Sequence, residues 1–112
     1  RVRFAPERGS SLLLTSSWDA HVRLYDASAG KQLAAHSLGL PVLDCAFQDA
    51  NSVLAGGLGK EIVAIDLAAQ REFRLGGHDA PIKCVEFHAP TQQALTASWD
   101  RTLRAWDPRQ PA

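Results

Sequence analysis

Three polar side chains in the last third of the sequence are of the types that serine hydrolases use. His78, Ser98 and Asp100 supply an imidazole, a hydroxyl and a carboxylate, the groups that act as base, nucleophile and orienting acid in a catalytic triad. The residues around Ser98 do not form the Gly-x-Ser-x-Gly turn that exposes a nucleophile in α/β-hydrolases. The same three groups can also satisfy one another's hydrogen bonds inside a fold. We therefore predict a structural role for them and no enzymatic activity.

Two other candidate sites lack essential residues. The glycine-rich stretch Gly56–Lys60 would need a glycine at 54 and Ser or Thr at 61 to form a phosphate-binding loop, but Leu54 and Glu61 stand there. The two cysteines, Cys45 and Cys84, are too few for a four-ligand zinc site. They lie in apolar strand-like runs, so we expect two buried free thiols, and we predict neither a metal nor a cofactor.

The composition is that of an ordinary globular domain. The 112 residues are 46% apolar, and 12 basic residues balance 12 acidic ones. A net charge of zero argues against nucleic-acid binding through bulk charge. The sequence contains no run of about 18 apolar residues that could span a membrane. Neither a nucleic-acid partner nor a membrane partner is expected.

An internal repeat indicates which elements must position the polar residues. An aromatic or apolar residue is followed by Asp at Tyr25-Asp26, Ile65-Asp66 and Trp106-Asp107, at steps of 40 and 41 residues. Ser17-Trp18-Asp19 also recurs as Ser98-Trp99-Asp100. This period, with its Trp-Asp ending, is typical of WD-repeat β-propellers, whose blades are four-stranded sheets. We predict an all-β fold with no long helix.

The repeat and its turns divide residues 1–112 into three units of a partial propeller: blade one at about 1–26, blade two at about 31–67 and blade three at about 71–107. Blade one lacks its opening strand in this division. Three blades would leave open sheet edges at both ends, so we expect the chain to be a segment of a longer propeller. Strands are predicted at about 2–5, 11–16, 22–26, 31–36, 42–47, 53–57, 62–67, 71–75, 82–87, 94–98 and 102–106.

In a WD repeat the triad-like residues have another use. Asp100 would fix the ring of His78, His78 would bond Ser98, and Ser98 would accept the indole N–H of Trp106. Blade one keeps Ser17 and Asp19 as members of the same set. Blade two has Gly57, Gly59 and Ile65 where Ser, Asp and Trp would stand, so we expect it to depend on apolar packing.

Trp18 and Trp99 have no place in that network. Side chains alternate along a strand, so if Ser17 and Ser98 point inward, the two indoles point away, at the rim of one face of the propeller. Exposed aromatic side chains on one face are typical of protein- or peptide-binding sites. Packing against neighbouring loops is the alternative for both residues.

The sequence resembles the propeller member of the Bub mitotic checkpoint proteins, and less closely a related messenger-RNA export propeller. The resemblance spans nearly the whole chain. The strings that carry it are Ser16–Asp19, Val22–Asp26, Val42–Phe47, Gly56–Leu58, His78–Phe87 and Ser98–Asp107.

The resemblance implies a seven-bladed, non-enzymatic scaffold in the nucleus and, in mitosis, at kinetochores. It implies binding of checkpoint kinases of the Bub family through a peptide called the GLEBS motif, with Trp18 and Trp99 bearing on that peptide. Phosphorylated repeats of a kinetochore scaffold are implied as a second partner, recognised by residues outside this chain. The runner-up function is messenger-RNA export through a nuclear pore peptide.

Overall fold

The chain forms three antiparallel sheets, described by a computed structural model for residues 1–5, 10–49 and 52–108. Within each sheet the strands pair in chain order. The first sheet contains β1 (Val2–Phe4), β2 (Leu12–Ser16), β3 (His21–Asp26) and β4 (Lys31–Ser37); the second contains β5 (Val42–Phe47), β6 (Ser52–Gly57), β7 (Glu61–Asp66) and β8 (Arg71–Gly77); the third contains β9 (Ile82–His88), β10 (Gln93–Ser98) and β11 (Leu103–Trp106). A short 3₁₀ turn (Ala89–Thr91) joins β9 to β10.

The Asp of the repeated ending has a defined local role at two of its three sites. Asp26 Oδ1 accepts hydrogen bonds from the amides of Ser28 and Ala29, at 3.0 and 3.3 Å. Asp66 Oδ1 accepts from the amides of Ala68 and Ala69, both at 3.1 Å. A carboxylate that caps amides two and three residues ahead closes a tight turn. The repeated Asp therefore ends the third strand of a sheet and begins the hairpin to the fourth.

The hydrogen-bonded sheets are offset by one strand from the sequence units. The division at 1–26, 31–67 and 71–107 assigned the strand at 31–36 to the second unit, but β4 pairs with β3 in the register Asp26↔Lys31 to His21↔Ser37. A two-turn-residue hairpin makes this neighbour pairing the short connection. The first sheet accordingly has its four strands, and the described residues give the third sheet three.

The second sheet is covered on both faces. Val53 and Leu54, neighbours in β6, are both fully buried. Val53 belongs to an apolar cluster shared with Leu14 and Val22 of the first sheet, whereas Leu54 belongs to one shared with Ile82 of the third. Side chains alternate along a strand, so adjacent buried residues place a packed sheet on either side, as stacked blades require.

One guanidinium links the three sheets where their first strands approach one another. Arg3 in β1 donates to the Val85 carbonyl at 2.9 Å and to Glu86 Oε1 at 2.7 Å, both in β9. It also lies 3.3 Å from Asp44 Oδ2 in β5. Asp44 is buried and accepts the Val85 amide at 2.8 Å with the same oxygen. The pKa of Arg3 is raised, mainly by its hydrogen bond to Glu86. We call Arg3, Asp44 and Glu86 the inner ion cluster.

No helix in the described ranges is long and apolar enough to cross a membrane.

Candidate functional site

The polar residues of the third unit form one continuous chain of hydrogen bonds. His78 Nδ1 lies 3.0 Å from Asp100 Oδ2 and 2.9 Å from Thr102 Oγ1. On the other side of the ring, Nε2 lies 2.6 Å from Thr96 Oγ1. The indole of Trp106 donates to that same hydroxyl at 2.9 Å. If His78 donates from Nδ1 to the carboxylate, Thr96 donates to Nε2 and accepts from Trp106, so every buried donor has an acceptor.

The structure corrects the predicted place of Ser98 in this chain. The hydroxyl that joins His78 to Trp106 belongs to Thr96, two residues earlier on the same face of β10. The pairing of β10 with β9 shifts register between Ala97 and Ser98, which turns Ser98 away. Its hydroxyl donates instead to the carbonyls of Ala80 and Pro81, each at 3.0 Å. The predicted roles of His78, Asp100 and Trp106 agree with these contacts.

This geometry does not assemble a hydrolase site from the three candidate residues. Ser98 makes no hydrogen bond to His78, so the nucleophile and base of a triad are not joined. His78 and Thr96 are buried, and the Nε2 that a base would use is already occupied by Thr96. The arrangement can position β10, β11 and the loop before β9, which is a structural task.

The carboxylate at the outer end of the network is held ionised. Asp100 accepts the Thr102 hydroxyl at 2.5 Å and the amides of Thr102 and Asp79 at 2.9 and 3.1 Å. The Thr102 hydroxyl is the largest cause of a strongly lowered Asp100 pKa. Hydrogen bonds donated to a carboxylate favour its charged form, so the anchor for the His78 ring persists into acidic solution.

The corresponding residues of the first unit form a surface turn rather than a buried network. Asp19 pairs with Arg23 at 2.6 Å, and this hydrogen bond is the main reason why the pKa of Asp19 falls to about 2. Ser17 Oγ accepts the Asp19 amide at 3.3 Å. The prediction that Ser17 and Asp19 repeat the buried set is therefore wrong: they stabilise the β2–β3 turn.

The second unit packs through apolar side chains at its corresponding strand positions. Ile65 stands where Trp106 stands one unit later and is 1% exposed, in the cluster with Val53 and Ala55. Ala55 takes the place of Thr96, so neither a hydroxyl nor an indole N–H needs a partner there. This agrees with the expectation that the second unit depends on apolar packing.

The two tryptophans outside the network are exposed at one end of the sheets. Trp18 is 68% and Trp99 56% exposed, each in the turn between the second and third strands of its sheet. Leu58 occupies the same turn position in the second sheet, and its amide donates to the Pro41 carbonyl at 3.1 Å. The Trp99 amide donates to the Pro81 carbonyl at the same distance. Leu40, in the loop before Pro41, is 51% exposed and adds to this apolar end.

The two cysteines differ in environment. Both are free, but Cys45 is buried and Cys84 is exposed, so the expectation of two buried thiols is wrong for Cys84. Alternation explains the difference, since Val85 rather than Cys84 carries the buried face of β9. Burial raises the pKa of the Cys45 thiol to about 11. No group of three or more His, Cys, Asp or Glu in the described part of the chain could hold a metal ion.

Sequence reasoning missed Thr96 and the inner ion cluster. A signal for Thr96 exists, because Thr15 precedes Ser17 as Thr96 precedes Ser98. Arg3, Asp44 and Glu86 show no such pattern, since they come from three different sheets.

Comparison with known proteins supports a WD-repeat assignment. Residues 69–107 match the family described as "WD domain, G-beta repeat". The chain is 41% identical over 108 residues to mitotic checkpoint protein BUB3.1 of Arabidopsis thaliana, a match that covers 96% of this chain and 31% of the relative. It is 35% identical over 109 residues to mRNA export factor GLE2 of Chaetomium thermophilum, with 91% of this chain and 30% of the relative covered. It is 31% identical over 114 residues to mitotic checkpoint protein bub-3 of Caenorhabditis elegans, with 97% and 33% covered.

The chain thus spans about a third of the length of the curated relatives that it matches. The eleven strands, the antiparallel sheets that stack face to face, the Asp-capped turns and the buried His–Thr–Trp chain all accord with these matches. The chain is a segment of a WD40-repeat β-propeller, similar in sequence to the mitotic checkpoint and mRNA export propellers.

Proposed function

We propose that the protein carrying this chain is a non-enzymatic, peptide-binding scaffold of the spindle assembly checkpoint. In this role it binds checkpoint kinases of the Bub family through GLEBS-type peptides and brings them to kinetochores, acting in the nucleus and, in mitosis, at the kinetochore. Phosphorylated repeats of a kinetochore scaffold are its second partner. The similarity to checkpoint proteins over nearly the whole chain supports this proposal.

The observation that carries the proposal is the exposure of Trp18 and Trp99 at one end of the sheets. Neither indole packs into the core, although a tryptophan is among the most apolar surfaces that a protein can leave in water. Exposed tryptophans are frequent anchors in protein interfaces. The turns that hold them are fixed by Ser17, Ser98 and the backbone contacts described above, so the indoles are presented by ordered backbone.

The test is fluorescence anisotropy of a labelled GLEBS peptide from a checkpoint kinase, titrated with the protein carrying this chain. The variant is the double substitution Trp18→Ala, Trp99→Ala, and Phe73→Ala is the control, because Phe73 is also an exposed aromatic side chain but lies in β8. Loss of two anchors should cost at least about 2 kcal/mol, or roughly 30-fold in affinity. Equal affinity of the double variant and wild type would contradict the proposed site.

A second function is favoured by the match to an mRNA export factor. A peptide from a nuclear pore protein would then occupy the same tryptophans. Titration of the checkpoint and nuclear pore peptides side by side separates the two functions, since the tighter partner of the unmodified protein identifies the role.

A further inference from the structure

A cleft of about 370 Å³ opens along the first-sheet side of β7 and β8. Leu38, Val42 and Val63 give it an apolar floor, and Glu61, Glu72 and Arg74 line its polar side. Leu38 and Val63 also pack against the apolar cluster shared by the first and second sheets. The cleft therefore combines a rigid apolar surface with a small set of charges, the usual make-up of a ligand site.

The cleft exists where the second unit departs from the third. Its lining positions 57, 59, 61 and 63 correspond, at 41 residues, to Ser98, Asp100, Thr102 and Arg104. In the third unit those four side chains are all engaged: Asp100 and Thr102 with His78, Ser98 with Pro81, and Arg104 with the Gly77 carbonyl at 2.7 Å. The second unit has Gly57, Gly59, Glu61 and Val63 instead, which leave the space open.

The charges that line the cleft are unequal. Glu61 Oε2 lies 3.3 Å from Arg74 Nε, so this carboxylate has a cationic partner in the cleft. Glu72 lies 3.6 Å from His36 Nε2, and an imidazole is neutral at pH 7 unless it is protonated. Two carboxylates against one guanidinium give the cleft an excess of negative charge beside its apolar floor.

The cleft also adjoins the apolar end that carries the tryptophans. The loop from Leu38 to Val42 is tied to the first β2–β3 turn, because the Val42 amide donates to the Ser17 carbonyl at 3.0 Å and the Leu38 amide to the Ala20 carbonyl at 2.8 Å. Leu40 of this loop lines the cleft and is 51% exposed. A chain segment that lies on this end of the molecule can reach the cleft.

We propose that this cleft binds a short segment of a partner protein in which a lysine or arginine follows an aliphatic residue. The aliphatic side chain packs on Leu38, Val42 and Val63, and the cation meets Glu72. Charge complementarity sets the preference for a basic residue, since an acidic one would face two carboxylates. The inference concerns a site separate from Trp18 and Trp99 and does not depend on the function proposed for them.

The probes are the blocked tripeptides Leu-Lys-Leu and Leu-Glu-Leu, titrated into ¹⁵N-labelled protein carrying this chain and followed by TROSY spectra. We expect saturable shifts at cleft residues with the lysine peptide and at least about tenfold weaker binding of the glutamate peptide. Equal binding of the two peptides, or no saturation by about 10 mM, would overturn the proposal.

Two variants localise the binding. Gly59→Leu should abolish it, because a side chain there enters the cleft and a Cβ meets only Leu40 Cδ1, at an ordinary 3.6 Å. Glu72→Gln should weaken the lysine peptide about two- to fivefold, the range for a half-exposed charge pair. Asp79→Asn makes the same charge change at an exposed position outside the cleft and should have no effect.

Undiminished binding to Gly59→Leu would place the peptide elsewhere and refute the site. Retained binding to the Trp18→Ala, Trp99→Ala variant separates this cleft from the GLEBS site, so failure of one proposal is distinguishable from failure of the other. Each variant is first compared with wild type by its thermal transition, and Glu72→Gln, a conservative change at an exposed residue, keeps the test open if Gly59→Leu does not fold.

Discussion

Replacing Thr96 with valine tests whether the buried hydrogen-bond chain runs through this hydroxyl. Valine has nearly the shape of threonine but can neither donate nor accept a hydrogen bond. Thr96 is fully buried, so water cannot replace the hydroxyl without opening the sheet. The change would leave His78 Nε2 without its donor and Trp106 Nε1 without its acceptor.

The expected cost follows from those two orphaned groups. A buried polar group left without a partner costs about 1–3 kcal/mol, so Thr96→Val should lower the free energy of unfolding by about 2–5 kcal/mol. Thr96→Ser keeps the hydroxyl and removes one buried methyl, which costs about 1 kcal/mol. Ser98→Ala removes a hydroxyl that serves two carbonyls at a partly exposed turn, at a cost of no more than about 1 kcal/mol.

Equilibrium urea unfolding at pH 7, followed by tryptophan fluorescence, measures the three variants of the protein carrying this chain. The order of stability should be wild type first, then Thr96→Ser and Ser98→Ala close together, and Thr96→Val last. If Ser98→Ala were the most damaging change, or Thr96→Val lay within about 0.5 kcal/mol of wild type, the assignment of Thr96 as the linking hydroxyl would be wrong.

Three further predictions follow from single contacts. The pKa of Asp19 is lowered to about 2 from its ordinary 3.8, so the stability that it contributes is complete above about pH 4 and is lost as pH falls towards 2; Asp19→Asn should flatten this part of the acid-denaturation profile, and an unchanged profile would contradict the Arg23 pairing. Iodoacetamide at pH 8 should alkylate Cys84 in the native protein and Cys45 only after unfolding, as read by peptide mass mapping; native alkylation of Cys45 would refute its burial. Gly76→Ala should cost about 1–3 kcal/mol, because a Cβ there would lie 2.2 Å from Trp106 Cζ3; thermal melts that match wild type would show that this contact is not tight.

The sequence was sufficient to predict the strands, the repeat and the exposure of Trp18 and Trp99. Each of those features follows from a local pattern repeated at 40–41 residues. The linking hydroxyl was not predictable in the same way, because Thr96 and Ser98 share a strand face and only the register shift after Ala97 decides between them. The sheet boundaries required knowledge of which strand β4 pairs with. The inner ion cluster depends on side chains 41 and 83 residues apart meeting across three sheets, and no spacing within one repeat encodes such a meeting.

The inner ion cluster has a consequence for the internal motions of the molecule. Arg3, Asp44 and Glu86 join the first strands of the three sheets, whereas β4 and β8 are last in the pairing order of their sheets and expose most of their first residues. Fluctuations should therefore grow from the joined strands outward. Amide hydrogens of β5 should exchange with deuterium most slowly and those at the starts of β4 and β8 fastest. The rigid side of each sheet would then face its neighbours, and the mobile side would be free to adapt without disturbing the tryptophan turns.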